Sequence, residues 1–153
     1  MSPEIEEYGE GFKTALICDD NAETQSAINS ALKELNYKID ISTNSTDTLE
    51  KMRFNQYDVI VLNENFAGSS PENNEVLKFF QTMPMVSRRH VFLALIGQNL
   101  KTLDNMTAFS KSVNVVINKS DISNLTNILK KSIDDNDRFY KVYKETLRKL
   151  GKR

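Results

Sequence analysis

Four short runs rich in Val, Ile and Leu, at residues 15–18, 59–62, 91–96 and 113–117, show little alternation of apolar and polar positions. Runs of this kind predict strands buried on both faces, as a parallel sheet requires. A fifth, weaker run at 38–42 alternates Ile39 and Ile41 with polar residues, as a strand nearer a sheet edge does. Between the runs the period changes to three and four. Ile28, Ala31, Leu32 and Leu35 predict a helix over 22–35 that Asn36 ends. A second helix is predicted over 46–54, with Ser45 as its N-cap and Leu49, Met52 and Phe54 apolar. Val76, Leu77, Phe79 and Phe80 predict a third over 71–83, with Pro71 and Glu72 in its first turn and Pro84 as its stop. Leu103, Met106 and Phe109 mark a fourth helix. Ile122, Leu125, Ile128, Leu129 and Ile133 mark a fifth, capped by Ser120 or Asp121.

Strand and helix thus alternate five times, which predicts an α/β domain of flavodoxin-like fold, a five-stranded parallel sheet with helices on both faces. The pattern does not stop at Ile133. Asp134, Asp135, Asn136 and Asp137 precede Phe139, Tyr140, Val142, Tyr143, Leu147 and Leu150. The acidic cluster either starts a new helix or lies inside one running from 122 to 150, which at 1.5 Å per residue would be about 43 Å long and overrun the strands. Phe139, Tyr143, Leu147 and Leu150 form an apolar stripe that must be covered by the domain itself or by another molecule, and they are the candidate interaction residues. The expected division is a tail or linker over 1–12, the α/β domain over 13–133 and a C-terminal helical extension over 134–153.

Composition narrows the function classes. With 20 Lys and Arg against 21 Asp and Glu, the net charge of -1 gives no global attraction to nucleic acid or membrane. The cations beyond Ile133 (Arg138, Lys141, Lys144, Arg148 and Lys149) suit a solvated face at a helix carboxyl end, and no helix-turn-helix pattern accompanies them. The apolar runs are far short of the roughly 20 residues that span a bilayer. The start of the chain carries Glu4, Glu6, Glu7 and Glu10 where an export signal needs basic and then apolar residues, so a soluble, cytoplasmic protein is expected. The single cysteine, Cys18, excludes an intramolecular disulfide, and its place in the first apolar run predicts a buried, inert thiol. His90, the only histidine, has no partner cluster for metal or proton transfer, and no Gly-rich phosphate loop is present. The segment Met83-Pro84-Met85, followed by Arg88 and Arg89, is read as core packing beside paired cations.

In a parallel α/β sheet the chemistry gathers at the carboxyl ends of the strands. Asp19 and Asp20 follow the first strand, where two carboxylates suit a hard cation such as Mg²⁺; the plainer role is capping of the next helix by Asp20 or Asn21. From about residue 13 to 133 the chain resembles the response-regulator receiver family. Asp19 and Asp20 match its acidic pair, Tyr57-Asp58-Val59-Ile60-Val61-Leu62 its third strand, and Lys119 the lysine that ends its fifth strand. The resemblance implies a phosphorylated aspartate at the position held by Asn63 and a Thr or Ser at that held by Ile96. An amide is no nucleophile for phosphoryl transfer, and Ile96 has no donor to read a phosphate. The aromatic switch position is Val116 and the proline after the lysine is Ser120.

A degenerate receiver pocket of Asp19, Asp20, Asn63, Ile96 and Lys119 is therefore expected, with no catalytic residue, no cofactor and at most weak Mg²⁺ binding at Asp19 and Asp20. Lys119 is expected to pair with Asp19 or Asp20 and hold the pocket closed. The resemblance implies a module of bacterial-type signal transduction. It would work by binding a protein partner or another domain of the same chain, through the fourth helix, fifth strand and fifth helix or through the terminal helix. Ala108, Lys111 and Tyr140 are candidate surface positions, and a homodimer on the terminal helix fits the same pattern. Two rivals stand beside it: a phosphorelay receiver using Glu64, Asp58 or Asp20 as substitute acceptor, and a small-molecule or nucleotide-binding domain using the strand-end crevice.

Overall fold

The computed structural model describes residues 13–68 and 73–151. The tail expected over 1–12, and Pro71 and Glu72 of the third predicted helix, lie outside the described residues. The strands are β1 (Lys13–Cys18), β2 (Tyr37–Ser42), β3 (Val59–Asn63), β4 (Phe92–Gly97) and β5 (Val115–Asn118). They pair in parallel in the order β2-β1-β3-β4-β5. The helices are α1 (Ala22–Glu34), α2 (Ser45–Phe54), α3 (Glu75–Thr82), the single turn α4 (Met85–Arg88), α5 (Asn105–Lys111) and α6 (Leu125–Lys149). Short 3₁₀ segments occupy Phe66–Gly68 and Lys119–Asn124.

Alternate strand residues face opposite sides of the sheet, and here both sides are covered. Ala15, Ile17, Val61, Ala94 and Ile96 pack with Ile28 and Leu32 of α1 and with Leu125, Leu129 and Ile133 of α6. Leu16, Cys18, Leu62, Leu95 and Val116 pack with Val76 and Phe80 of α3 and Ala108 of α5, and Met52 and Met83 close the margin. Each buried Val, Leu, Ile or Phe among them stabilises the fold by about 1.5–3 kcal/mol, and burial on both faces is why the apolar runs do not alternate. β2 does alternate because it is an edge strand.

Asparagines set the boundaries of the helices. Asn21 caps α1 by accepting from Thr24 N at 3.0 Å, and Asn36, at φ 69°, ends it. Ser45, expected as a cap, is instead the first residue of α2, because Asn44 accepts from Asp47 N at 2.7 Å. The third helix starts at Glu75, capped by Asn74, whose side chain accepts from Leu77 N at 3.0 Å. Neither Ser120 nor Asp121 caps the last helix: a 3₁₀ segment comes first, and its cap is Asn118, which accepts from Ser120 N at 2.8 Å.

The fourth predicted helix, α5, departs most from its pattern. Leu103, Met106 and Phe109 are 46%, 75% and 81% exposed, whereas Ala108, expected at the surface, is buried. Leu103 adopts φ 67° and precedes the helix, with its N–H bound to Val116 O at 2.9 Å, and the short helix that follows turns Ala108 to the sheet.

α6 is unbroken for 25 residues, about 37 Å, against about 20 Å for a six-residue strand. The boundary expected at 133/134 therefore falls within a continuous helix. Its acidic run is accommodated by exposed pairs Lys130–Asp134 at 3.1 Å and Lys131–Asp135 at 3.0 Å. Buried residues end at Ile133. Beyond it the helix is fastened by Lys13–Asp137 at 3.7 Å, by Asn114 donating to Asn136 at 3.4 Å, and by the Arg89 guanidinium 5.7 Å over the Tyr143 ring. The expected stripe is divided: Phe139 and Leu150 are exposed, while Tyr143 and Leu147 turn toward Arg89.

Urea unfolding should separate the two halves of α6. Leu129→Ala is expected to cost about 2–5 kcal/mol as a core cavity. Tyr143→Ala should cost about 1 kcal/mol or less, since it loses only exposed contacts.

Candidate functional site

β1 and β3 are registered so that Cys18 lies opposite Leu62, which brings the next residues, Asp19 and Asn63, side by side at the carboxyl ends of the strands. Asn63 in turn is paired with Ile96 of β4. The parallel register thus assembles the three positions that the sequence singled out.

Asp19 is buried at 0% exposure, and both carboxylate oxygens are occupied. Oδ1 accepts from Asn21 N at 2.9 Å, and Oδ2 accepts from Asn63 Nδ2 at 3.2 Å. Asn63 Oδ1 accepts from Asn65 N at 2.8 Å, so the amide has one orientation available and must present its donor to Asp19. Burial pushes the Asp19 carboxyl up from its ordinary value; the bonds from Asn21 and Asn63 pull it back, Asp20 raises it and Lys119 lowers it, the weakest of these effects.

Two expectations at this site are corrected, and the choice left open between two caps is settled. Asp19 and Asp20 do not converge, because Asp19 is buried and Asp20 is exposed. Capping falls to Asn21 and not to Asp20. Among the described residues no ion pair joins Lys119 to either aspartate: Lys119 opens the 3₁₀ segment, and the closing contact comes from Asn63. Ile96 is fully buried, packed in the apolar layer shared by α1 and α6. Burial also pushes the Cys18 thiol up to about 12, in keeping with an inert thiol.

Magnesium, which a receiver pocket implies, does not fit the residues present. Each Asp19 oxygen already accepts a hydrogen bond, Asn63 turns an N–H toward it, and among the described residues no group of three or more His, Cys, Asp or Glu side chains is placed to hold a metal ion. The Glu64 side chain lies apart from those of Asp19 and Asn63. It is buried over Gly97, where an added Cβ would lie 2.1 Å from Glu64 Oε1, and alternation puts Gly97 on the face opposite Ile96.

Two residues that sequence reasoning missed hold the surrounding loops. Asn74, 1% exposed, donates to Asn63 O at 3.2 Å and Glu64 O at 3.1 Å while capping α3. Asn118 donates to Leu100 O at 2.6 Å and Gln98 O at 3.2 Å, and Thr102 links its backbone N–H to Asp121. An asparagine three residues before Leu77 signalled the cap, but nothing local signalled the cross-links. Grooves of about 480 Å³ and 600 Å³ lie away from this site, beside Tyr57 and His90 and beside Arg89 and Tyr143.

The site predicts a pH-dependent cost for Asn63→Asp. A second carboxylate beside buried Asp19 replaces a donor with a like charge, so the folded pair holds a proton more tightly than the unfolded chain does. The deficit relative to the natural protein, about 1–3 kcal/mol at about pH 8, should grow as pH rises through the raised folded pKa and shrink on acidification toward about pH 5. Urea unfolding at both pH values measures it.

No protein-family model and no curated protein matches the sequence. Solved structures do match. A response regulator from Thermotoga maritima has a TM-score of 0.62 at 16% identity, covering 80% of this chain and 98% of that one. The receiver domain (CheY-like) from Methylobacillus flagellatus gives 0.59 at 21% identity, covering 79% and 98%. The receiver domain of a sensor histidine kinase from Pseudomonas aeruginosa, with magnesium coordinated in its active-site cleft, gives 0.60 at 18% identity, covering 80% and 98%. With its strand order, its two covered faces and these likenesses, the chain carries the fold of response-regulator receiver domains, extended by the second half of α6.

Proposed function

We propose that this chain is a pseudo-receiver, a module of two-component-type signal transduction in the cytoplasm that binds a protein partner and accepts no phosphoryl group on aspartate. The observation that carries this reading is the hydrogen bond from Asn63 Nδ2 to Asp19 Oδ2. The nucleophile's position holds an amide, and that amide makes the contact with Asp19 that a bound cation would otherwise make. The Pseudomonas receiver coordinates magnesium in its cleft; in this chain the donor is built in.

The neighbouring positions support the same reading. Ile96 offers no hydroxyl to follow a phosphoryl group, and its burial ties the end of β4 to the core. A pocket closed in this way has no second chemical state to switch to, so the domain holds one conformation and presents one surface. The exposed Leu103, Met106 and Phe109 at α5 give that surface an apolar patch suited to a protein partner or another domain.

Intact mass after incubation with acetyl phosphate and Mg²⁺, beside Asn63→Asp, tests the proposal. The natural protein should stay unmodified while the variant gains one phosphoryl group. Modification of the natural protein would refute the proposal and point to a substitute acceptor; two unmodified proteins would place the loss of function beyond Asn63.

A further inference from the structure

Past Ile133, α6 exposes a second line of side chains. Asp135, Phe139, Val142, Thr146 and Lys149 follow one another at intervals of four, three, four and three, the spacing by which two helices pack along a shared seam. All five are exposed, Phe139 to 63% and Val142 to 59%, and Leu150 beside them to 65%. The middle of the line is a shallow concavity of about 560 Å³ bounded by Asp135, Arg138, Phe139, Val142, Tyr143 and Thr146. The first half of α6 is fixed in the core by Leu125, Ile128, Leu129 and Ile133, so the helix is already nucleated and a short seam suffices.

The charges beside the seam identify its occupant. They change sign along it: Asp134, Asp135 and Asp137 stand at its start, Arg148 and Lys149 at its end, and Arg138 and Glu145 flank it seven residues apart. Within one chain Asp134 and Asp135 pair with Lys130, Lys131 and Arg138 at 3.0–3.3 Å, all at the solvent, where such pairs hold weakly and exchange readily. An order running from acid to base is complementary to its own reverse. Two copies packed in parallel would place Asp135 against Asp135 and Lys149 against Lys149 within the seam. Packed antiparallel, they place Asp135 toward Lys149 and Arg138 toward Glu145, and the two-fold axis makes each pairing twice. An anionic lipid or nucleic-acid surface would be repelled by the three aspartates.

We propose that two copies of this chain associate through the second half of α6, antiparallel, with Phe139 and Val142 of one copy packed on Val142 and Phe139 of the other. Thr146 extends the strip, and Arg138 pairs with Glu145 of the second copy. From Asp135 to Lys149 the seam is about 21 Å long and one helix, about 10 Å, wide. It buries less than the roughly 1,200 Å² of a standard interface, so the dimer is weak and forms as concentration rises. The inference uses neither the exposed side chains of α5 nor the state of Asn63.

Sedimentation equilibrium of the full chain between about 1 and 300 µM tests the pairing. The natural protein is expected to dimerise with a Kd of about 10–100 µM, and Val142→Glu to raise that value about tenfold or more. Arg138→Glu and Glu145→Arg should each raise it about threefold to tenfold, while R138E/E145R, which exchanges the two charges at constant net charge, should restore the natural value. All four variants change exposed residues, so their urea midpoints at about 1 µM should match that of the natural protein and show that each is folded. A natural protein that stays monomeric at about 300 µM would overturn the proposal and leave the seam to a different protein. A dimer that Val142→Glu does not weaken would overturn it in favour of another face, and a double variant no tighter than the single ones would overturn the antiparallel order.

Discussion

The structure turns on the polarity of one amide. Asp19 is buried at the carboxyl end of β1, and a buried carboxylate must be met by donors. Asn21 supplies one from the backbone and Asn63 the other from its side chain, and the bond from Asn65 to the Asn63 oxygen prevents the amide from turning over. The ends of β1 and β3 are thus joined by a hydrogen bond from a neutral amide to a carboxylate. That contact accounts for the poor fit to magnesium.

Around this point the fold is conventional. A parallel sheet covered on both faces needs apolar side chains at successive positions, and β1, β3, β4 and β5 provide them. The sheet fixes register, and register is what brings Asp19, Asn63 and Ile96 together from segments far apart in sequence. The loops beyond the strand ends are then pinned by Asn74 and Asn118, each of which satisfies carbonyl groups in a neighbouring loop while capping a helical segment. The loops at the site are cross-linked by side chains.

The second half of α6 obeys a different balance. Its first half buries Leu125, Ile128, Leu129 and Ile133 against the sheet. Once the helix passes the strand ends its contacts among the described residues are with Arg89, Asn114 and Lys13, each worth little individually.

The sequence by itself determined the sheet, the five strand-helix repeats and the place of Asp19 and Asn63 at strand ends, because hydrophobic periodicity reports burial and a strand end is a fixed offset from a run such as Val59-Ile60-Val61-Leu62. It also determined that the residue ending β3 carries an amide and no carboxylate, since that is read from the identity of Asn63 alone. Only the tertiary structure decided that Asn63, and not Lys119, closes on Asp19, that Asn44 and Asn74 cap their helices, that Ala108 turns inward while Met106 and Phe109 face outward, and that Asp134 to Asp137 interrupt nothing. The physical reason is common to these cases. Hydrogen-bond partners, and the azimuth of a two-turn helix, depend on distances between segments tens of residues apart, and local composition carries no record of those distances.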